Sequence, residues 1–124
     1  MTMDINVALG TVGRALLALL FILAGIAKIA GPEPFREHMV QFQVPTILLY
    51  GVIALEFAGG LALLFGYQTR WTALALAVFC VLTAVIFHFD LGDKVQRTLF
   101  FKDLAIAGGL IALGASAALR SVNS

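Results

Sequence analysis

Apolar residues gather along this chain into four long runs separated by short polar joints, and that alternation predicts its elements. The runs extend from Ala8 to Ala30, from Thr46 to Phe65, from Thr72 to Phe89 and from Thr98 to Leu119. Each approaches the roughly 20 apolar residues that a helix needs to cross the hydrocarbon of a bilayer. Gly31-Pro32-Glu33-Pro34 ends the first run, because proline cannot continue the helical hydrogen-bond ladder and restricts the residue before it. Within this first joint Phe35, Met39 and Phe42 recur at i, i+4 and i+7, while Arg36, Glu37 and Gln41 point elsewhere. That spacing predicts one or two amphipathic turns lying on the membrane surface, closed by Val44-Pro45. Gly66 to Trp71 reads as a tight turn whose Tyr67 and Trp71 suit the headgroup level. The third joint, residues 89–97, is short and mixed in charge. The expected fold is all-α: a membrane-embedded antiparallel four-helix bundle with a short interfacial helix between spans one and two, occupying residues 1–124 as one domain.

Composition sharpens this picture. Of the 124 residues 61% are hydrophobic and 12% charged, against roughly 25% charged in an ordinary soluble domain, and the mean hydropathy is +1.02. The lipid bilayer is therefore the first partner. A formal net charge of +1 without a long basic run leaves no electrostatic footprint for nucleic acid, which is excluded as a partner. The lone cysteine, Cys80, rules out an intrachain disulfide, a thiol pair and a cysteine metal cluster. Asp4 in place of a basic leader, and Arg14 inside the first run, predict that the first span is retained rather than cleaved. Arg14, Arg70 and Arg120 fall toward the face of the termini, and Lys28, Arg36, Lys94, Arg97 and Lys102 toward the face of the first and third joints. Positive residues stay cytoplasmic, so external termini are favoured.

The candidate chemistry lies in the charges placed inside the spans. Arg14 stands about two turns into span one, Lys28 near its end, Glu56 near the middle of span two, His88 late in span three, and Lys102 with Asp103 in the first turns of span four. Antiparallel packing brings Lys28, His88, Lys102 and Asp103 near one face, with His38 on the same side and Glu56 deeper. Arg14 approaches Glu56 from the opposite face, within reach of a long guanidinium. Each central charge costs about 2.5–3.5 kcal/mol to insert, so partners are required. Two readings remain open. Arg14 with Glu56, and Lys102 with Asp103 or a lipid phosphate, can serve only to fix helix register; alternatively, the group forms a polar site, as ionisable residues inside membranes do by default. On the second reading Glu56 and Arg14 are the candidate catalytic residues and Lys28, His88, Lys102 and Asp103 the candidate binding residues. His38 and His88 have no fixed spacing that would mark haem or metal ligation, and no metal site is expected. For packing, Gly59 and Gly60 predict a close helix approach, Cys80 and Thr83 a helix interface, and Gly108, Ala112 and Ser116 a small-residue contact stripe.

Gly13-Arg14-Ala15-Leu16-Leu17 early in span one, Gly25-Ile26-Ala27-Lys28 at its end, Glu56 in span two, and Lys102-Asp103-Leu104-Ala105-Ile106-Ala107-Gly108-Gly109 in span four resemble the DoxX family over nearly the whole chain. Members often carry Lys-Asn in span four, where this chain has Lys102-Asp103. The resemblance implies a small multi-pass protein of the bacterial inner (cytoplasmic) membrane. It further implies a subunit of an oxidoreductase system handling a quinone or another small lipophilic redox partner. No flavin or dinucleotide motif is present, so a bound cofactor or a separate soluble or membrane subunit would carry the electrons. The alternative is a non-enzymatic membrane scaffold or small-molecule carrier that recruits a partner protein, to which homo-oligomerisation would be suited.

Overall fold

A computed structural model describes residues 5–123; Asp4 lies outside the described residues, as does the side chain of Arg120. Five helices follow one another: α1 (Ile5–Ala30), α2 (Glu33–Gln41), α3 (Leu48–Phe65), α4 (Thr69–Phe87) and α5 (Lys94–Asn123). All but α2 are long and apolar enough to cross a membrane, and they run antiparallel in sequence. The described residues thus form an all-α bundle of four spans with the short α2 between spans one and two.

Local chemistry sets the helix ends. Gly66 adopts a left-handed conformation (φ 74°), and Tyr67 N–H donates to Ala62 O at 2.8 Å while Gly66 N–H donates to Leu63 O at 3.2 Å, which satisfies the last carbonyls of α3. The Asp93 carboxylate accepts from Val95 N–H at 2.9 Å. That cap starts α5 at Lys94, a turn earlier than its apolar run. Conversely, α4 stops at Phe87, and His88 (φ −125°) becomes its C-cap.

The spans associate as two pairs. α1 packs along α3 and α4 along α5, whereas α3 meets α4 over a shorter contact and α1 barely touches α5. Small residues permit the close approaches. A Cβ placed on Gly60 would lie 2.7 Å from Ile22 Cγ1 and 2.9 Å from the Ile22 backbone nitrogen, and one on Gly25 would lie 3.1 Å from the Phe57 backbone nitrogen. Gly59 receives the end of Leu76 across the α3–α4 contact. Phe21, Leu63, Leu76, Cys80 and Leu110 meet in the common core. Large apolar side chains such as Leu16, Leu23, Phe65, Leu82 and Ile111 face outward, as a surface solvated by lipid requires.

The Gly108, Ala112 and Ser116 stripe does not pack as its spacing suggested. All three are exposed, and a Cβ on Gly108 would meet nothing within 4 Å. The packed face of α5 carries Ala107, Leu110 and Gly114 instead. The reason lies in α4, which buries Ala73, Ala77 and Ala84. With the small side chains already on α4, α5 can contribute the larger Leu110.

The register of α1 against α3 leaves a step. Lys28 sits about 3 Å short of the end of α1, whereas Glu56, its neighbour on α3, sits roughly 12 Å inside that helix, at about 1.5 Å per residue. α2 fills this step. Its Met39 is buried, its Arg36 reaches the Tyr50 hydroxyl at 3.3 Å, and its Phe35 ring lies under Lys28.

Candidate functional site

The Glu56 carboxylate faces the bundle interior from a helix that is apolar on every other turn. Lys28 Nζ lies 2.7 Å from Glu56 Oε1, with the two side chains 15% and 6% exposed. The step beside α1 explains the geometry: the Lys28 stem turns inward under α2 rather than outward to the headgroups, and its ammonium stands 4.7 Å from the centroid of Phe35. The close approach of opposite charges neutralises two groups that hydrocarbon would otherwise penalise, although Glu56 Oε1 lacks a hydrogen bond of good geometry among the described residues.

The expected approach of Arg14 to Glu56 does not occur. Arg14 lies at the opposite end of α1, its guanidinium beside Gly66, where the C-terminal end of the α3 dipole carries partial negative charge that favours a cation. Its Nε is buried without a hydrogen-bond partner among the described residues. Lys102 also stands apart. It is exposed, and Asp103 beside it turns inward, since consecutive helical residues point about 100° apart.

The second helix pair supplies the facing groups. Asp103 on α5 neighbours Thr83 on α4 and lies within Coulombic reach of Glu56 across the contact between the pairs. His88 Nε2 stands 3.9 Å from Asp103 Oδ2, and His88 Nδ1 stands 2.7 Å from Gln96 Oε1. One ring nitrogen of His88 thus faces the Gln96 amide, and the other, Nε2, is turned toward Asp103. The free thiol of Cys80 is buried on the same helix. The structure therefore brings Lys28, Glu56, His88 and Asp103 into one polar group.

His38, on α2, closes this group toward the membrane surface. Its ring stacks on Phe42 (5.1 Å between centroids), meets the edge of Phe87, and lies 6.3 Å from the His88 ring. Burial, and then the neighbouring His88, hold the His38 pKa below its ordinary 6.5; its Nε2 is buried without a partner among the described residues. Haem or metal ligation by His38 and His88 finds no support here, because the His88 nitrogens face Gln96 and Asp103. An open cleft of about 280 Å³ adjoins His38, between α2, the end of α4 and the joint into α5.

Phe35, Thr83 and Gln96 were not among the candidate site residues of the sequence. Phe35 entered only as part of the apolar face of α2, and Thr83 only as a residue of a helix interface.

The DoxX family model matches residues 9–89, from early α1 to just past the C-cap of α4. The chain belongs to the DoxX family. The matched stretch holds Lys28, His38, Glu56 and His88, and so three of the four groups of the polar cluster. Among curated relatives, the chain is similar to the inner membrane protein YqjF of Escherichia coli (strain K12), at 46% identity over 102 residues, covering 82% of this chain and 78% of YqjF. It is also similar to the inner membrane protein YphA of the same organism, at 29% identity over 109 residues, covering 82% of this chain and 78% of YphA. No solved structure matches this DoxX-family chain.

Proposed function

We propose that this DoxX-family chain is a multi-pass inner-membrane protein, as its two E. coli relatives are named, and that it works as a subunit of an oxidoreductase system binding a quinone-like molecule between its two helix pairs. The observation that carries the reading is the buried Lys28–Glu56 pair at 2.7 Å, set opposite the His88–Asp103 couple on the other pair. A quinone needs hydrogen-bond donors at its carbonyl oxygens and a proton for each electron it takes up. In this reading Lys28 and His88 are the donors, each exchanging its carboxylate partner for a quinone oxygen. Glu56 and Asp103 hold and release protons. Electrons come from a separate subunit or a bound cofactor. Arg14, at the far end of the bundle, serves here as a clamp on α3, and Lys102 as a headgroup contact. The excess of lysine and arginine on the face of the first and third joints orients the site toward the cytoplasm.

Purification in a mild detergent, absorption spectra before and after dithionite, and solvent extraction of the same sample test the reading. Wild-type protein is expected to carry stoichiometric quinone, and Glu56→Gln to lose it while keeping its folded yield. Ligand-free wild-type protein, or a Glu56→Gln variant that retains the quinone, would overturn it. The exposed stripe of Gly108, Ala112 and Ser116 on α5 favours a second reading, a scaffold that associates through this helix. A defined crosslinked oligomer in native membranes that disappears with Gly108→Leu would support it.

A further inference from the structure

The open cleft beside His38 differs in character from the buried polar group. Phe42, Phe87 and Phe89 line it together with Asp90 and Asp93, and its lining includes no lysine or arginine. Phe42 and Phe87 meet edge to face, with centroids 5.3 Å apart and planes at 73°, so the two rings form an aromatic corner. Phe42 also stacks on His38, and His38 meets Phe87, which fixes the orientation of both phenyl rings. We propose that this cleft binds an organic cation, an alkyl- or arylammonium with apolar substituents.

The argument is electrostatic and steric. Aromatic faces carry negative charge density that attracts ammonium groups, and quaternary ammonium ions are recognised by such aromatic walls. Asp90 adds a carboxylate at the rim, while Asp93 commits Oδ1 to the first-turn N–H of Val95 and thereby offsets the partial positive charge of the α5 N-terminus. An anion would meet two carboxylates. Lys94 and Arg97 follow in sequence but are exposed and do not line the cleft. His38 presents no opposing charge near neutral pH, because burial disfavours its protonation. The cleft lies at the level of the surface helix α2, where apolar substituents reach the acyl boundary and the charge stays near water. A free lipophilic cation and the ammonium of a lipid headgroup both offer this chemistry.

Titration calorimetry of the full chain in uncharged dodecyl maltoside, with benzyltrimethylammonium as the probe, tests the proposal. Saturable binding is expected, weakened about tenfold by Asp90→Asn and severalfold by Phe87→Leu. An unchanged elution profile in size-exclusion chromatography shows that each variant is folded. Equal binding of neopentylbenzene, the uncharged isostere, would overturn the proposal, as would the absence of saturable binding or an Asp90→Asn variant with wild-type affinity. The same titration in phosphatidylglycerol nanodiscs, scored as the difference between wild type and Asp90→Asn, separates the two sources. Loss of that difference on adding phosphatidylethanolamine supports the site with a lipid amine as its occupant. Persistence supports it with a free cation.

Discussion

Removing the two halves of the Lys28–Glu56 pair is predicted to have unequal effects. Lys28→Met leaves a carboxylate that is 6% exposed, roughly 12 Å inside α3 at about 1.5 Å per residue, with no other cation paired to it among the described residues. Breaking a buried pair in this way costs about 3–5 kcal/mol, and a lone charge in the membrane about 2.5–3.5 kcal/mol, so a loss of about 3 kcal/mol is expected. Glu56→Gln leaves the ammonium instead. Lys28 retains the Phe35 ring at 4.7 Å, an attraction of about 0.5–2 kcal/mol, and its stem lies near the end of α1, where it can swing toward water. A loss of about 1–2 kcal/mol follows for this variant. In the double variant the surviving charge is gone, so it is expected to be more stable than Lys28→Met alone, with a coupling of about 2 kcal/mol. Unfolding by sodium dodecyl sulfate in mixed micelles, followed by far-ultraviolet circular dichroism, measures all four proteins. Losses that add to within about 0.5 kcal/mol in the double variant would refute the reasoning.

Four further outcomes follow from the structure. Gly60→Val forces a side chain into Ile22 and the Ala18 carbonyl at 3.1 Å or less and is expected to abolish the monodisperse peak in fluorescence-detected chromatography. Gly108→Ala meets nothing within 4 Å and should be neutral or stabilising by up to about 1 kcal/mol; equal behaviour of the two variants would contradict the packing. Arg14→Leu should cost about 0.3–1 kcal/mol in stability by removing the cation at the α3 C-terminus, while leaving quinone content unchanged; lost quinone would place Arg14 in the binding machinery. His38 has a folded pKa below 6.5, so the unfolded chain takes up the proton first and stability falls as pH drops through about 6.5. His38→Gln should flatten that part of a melting-temperature profile between pH 8 and pH 5, and coincident profiles would refute the assignment.

The four spans were legible because a bilayer demands long uninterrupted apolar runs, and the runs in the sequence differ from the observed helices only at their ends. Those ends moved where short polar side chains act, as Asp93 does by capping α5 a turn early. The members of the polar group were legible too, since Lys28, Glu56, His88 and Asp103 are charges or imidazoles where apolar residues dominate. Their pairing was not. Arg14 and Lys28 lie on nearly the same face of α1, four turns apart, so facing alone cannot choose between them as partners of Glu56. The choice depends on how far α1 slides along α3, which is fixed by the contacts at Gly25 and Gly60. The stripe on α5 shows the same limit from another side. Small residues at every fourth position mark a smooth face, but whether that face turns inward depended on the alanines of α4. The cleft needed three separate segments of chain to exist at all.

The division of the bundle into two tight pairs makes the molecule a set of jaws. Lys28 and Glu56 move with one jaw, and His88 and Asp103 with the other, so any opening uncovers both halves of the polar group together. The grip between them is Leu76 seated on Gly59, where an added Cβ would stand 3.2 Å from a Leu76 methyl. A single methyl group at that glycine would press on the Leu76 side chain, which must give by a few tenths of an ångström, while leaving each jaw intact. The fit of one jaw against the other thus rests in part on a residue that carries no side chain and is itself uncharged.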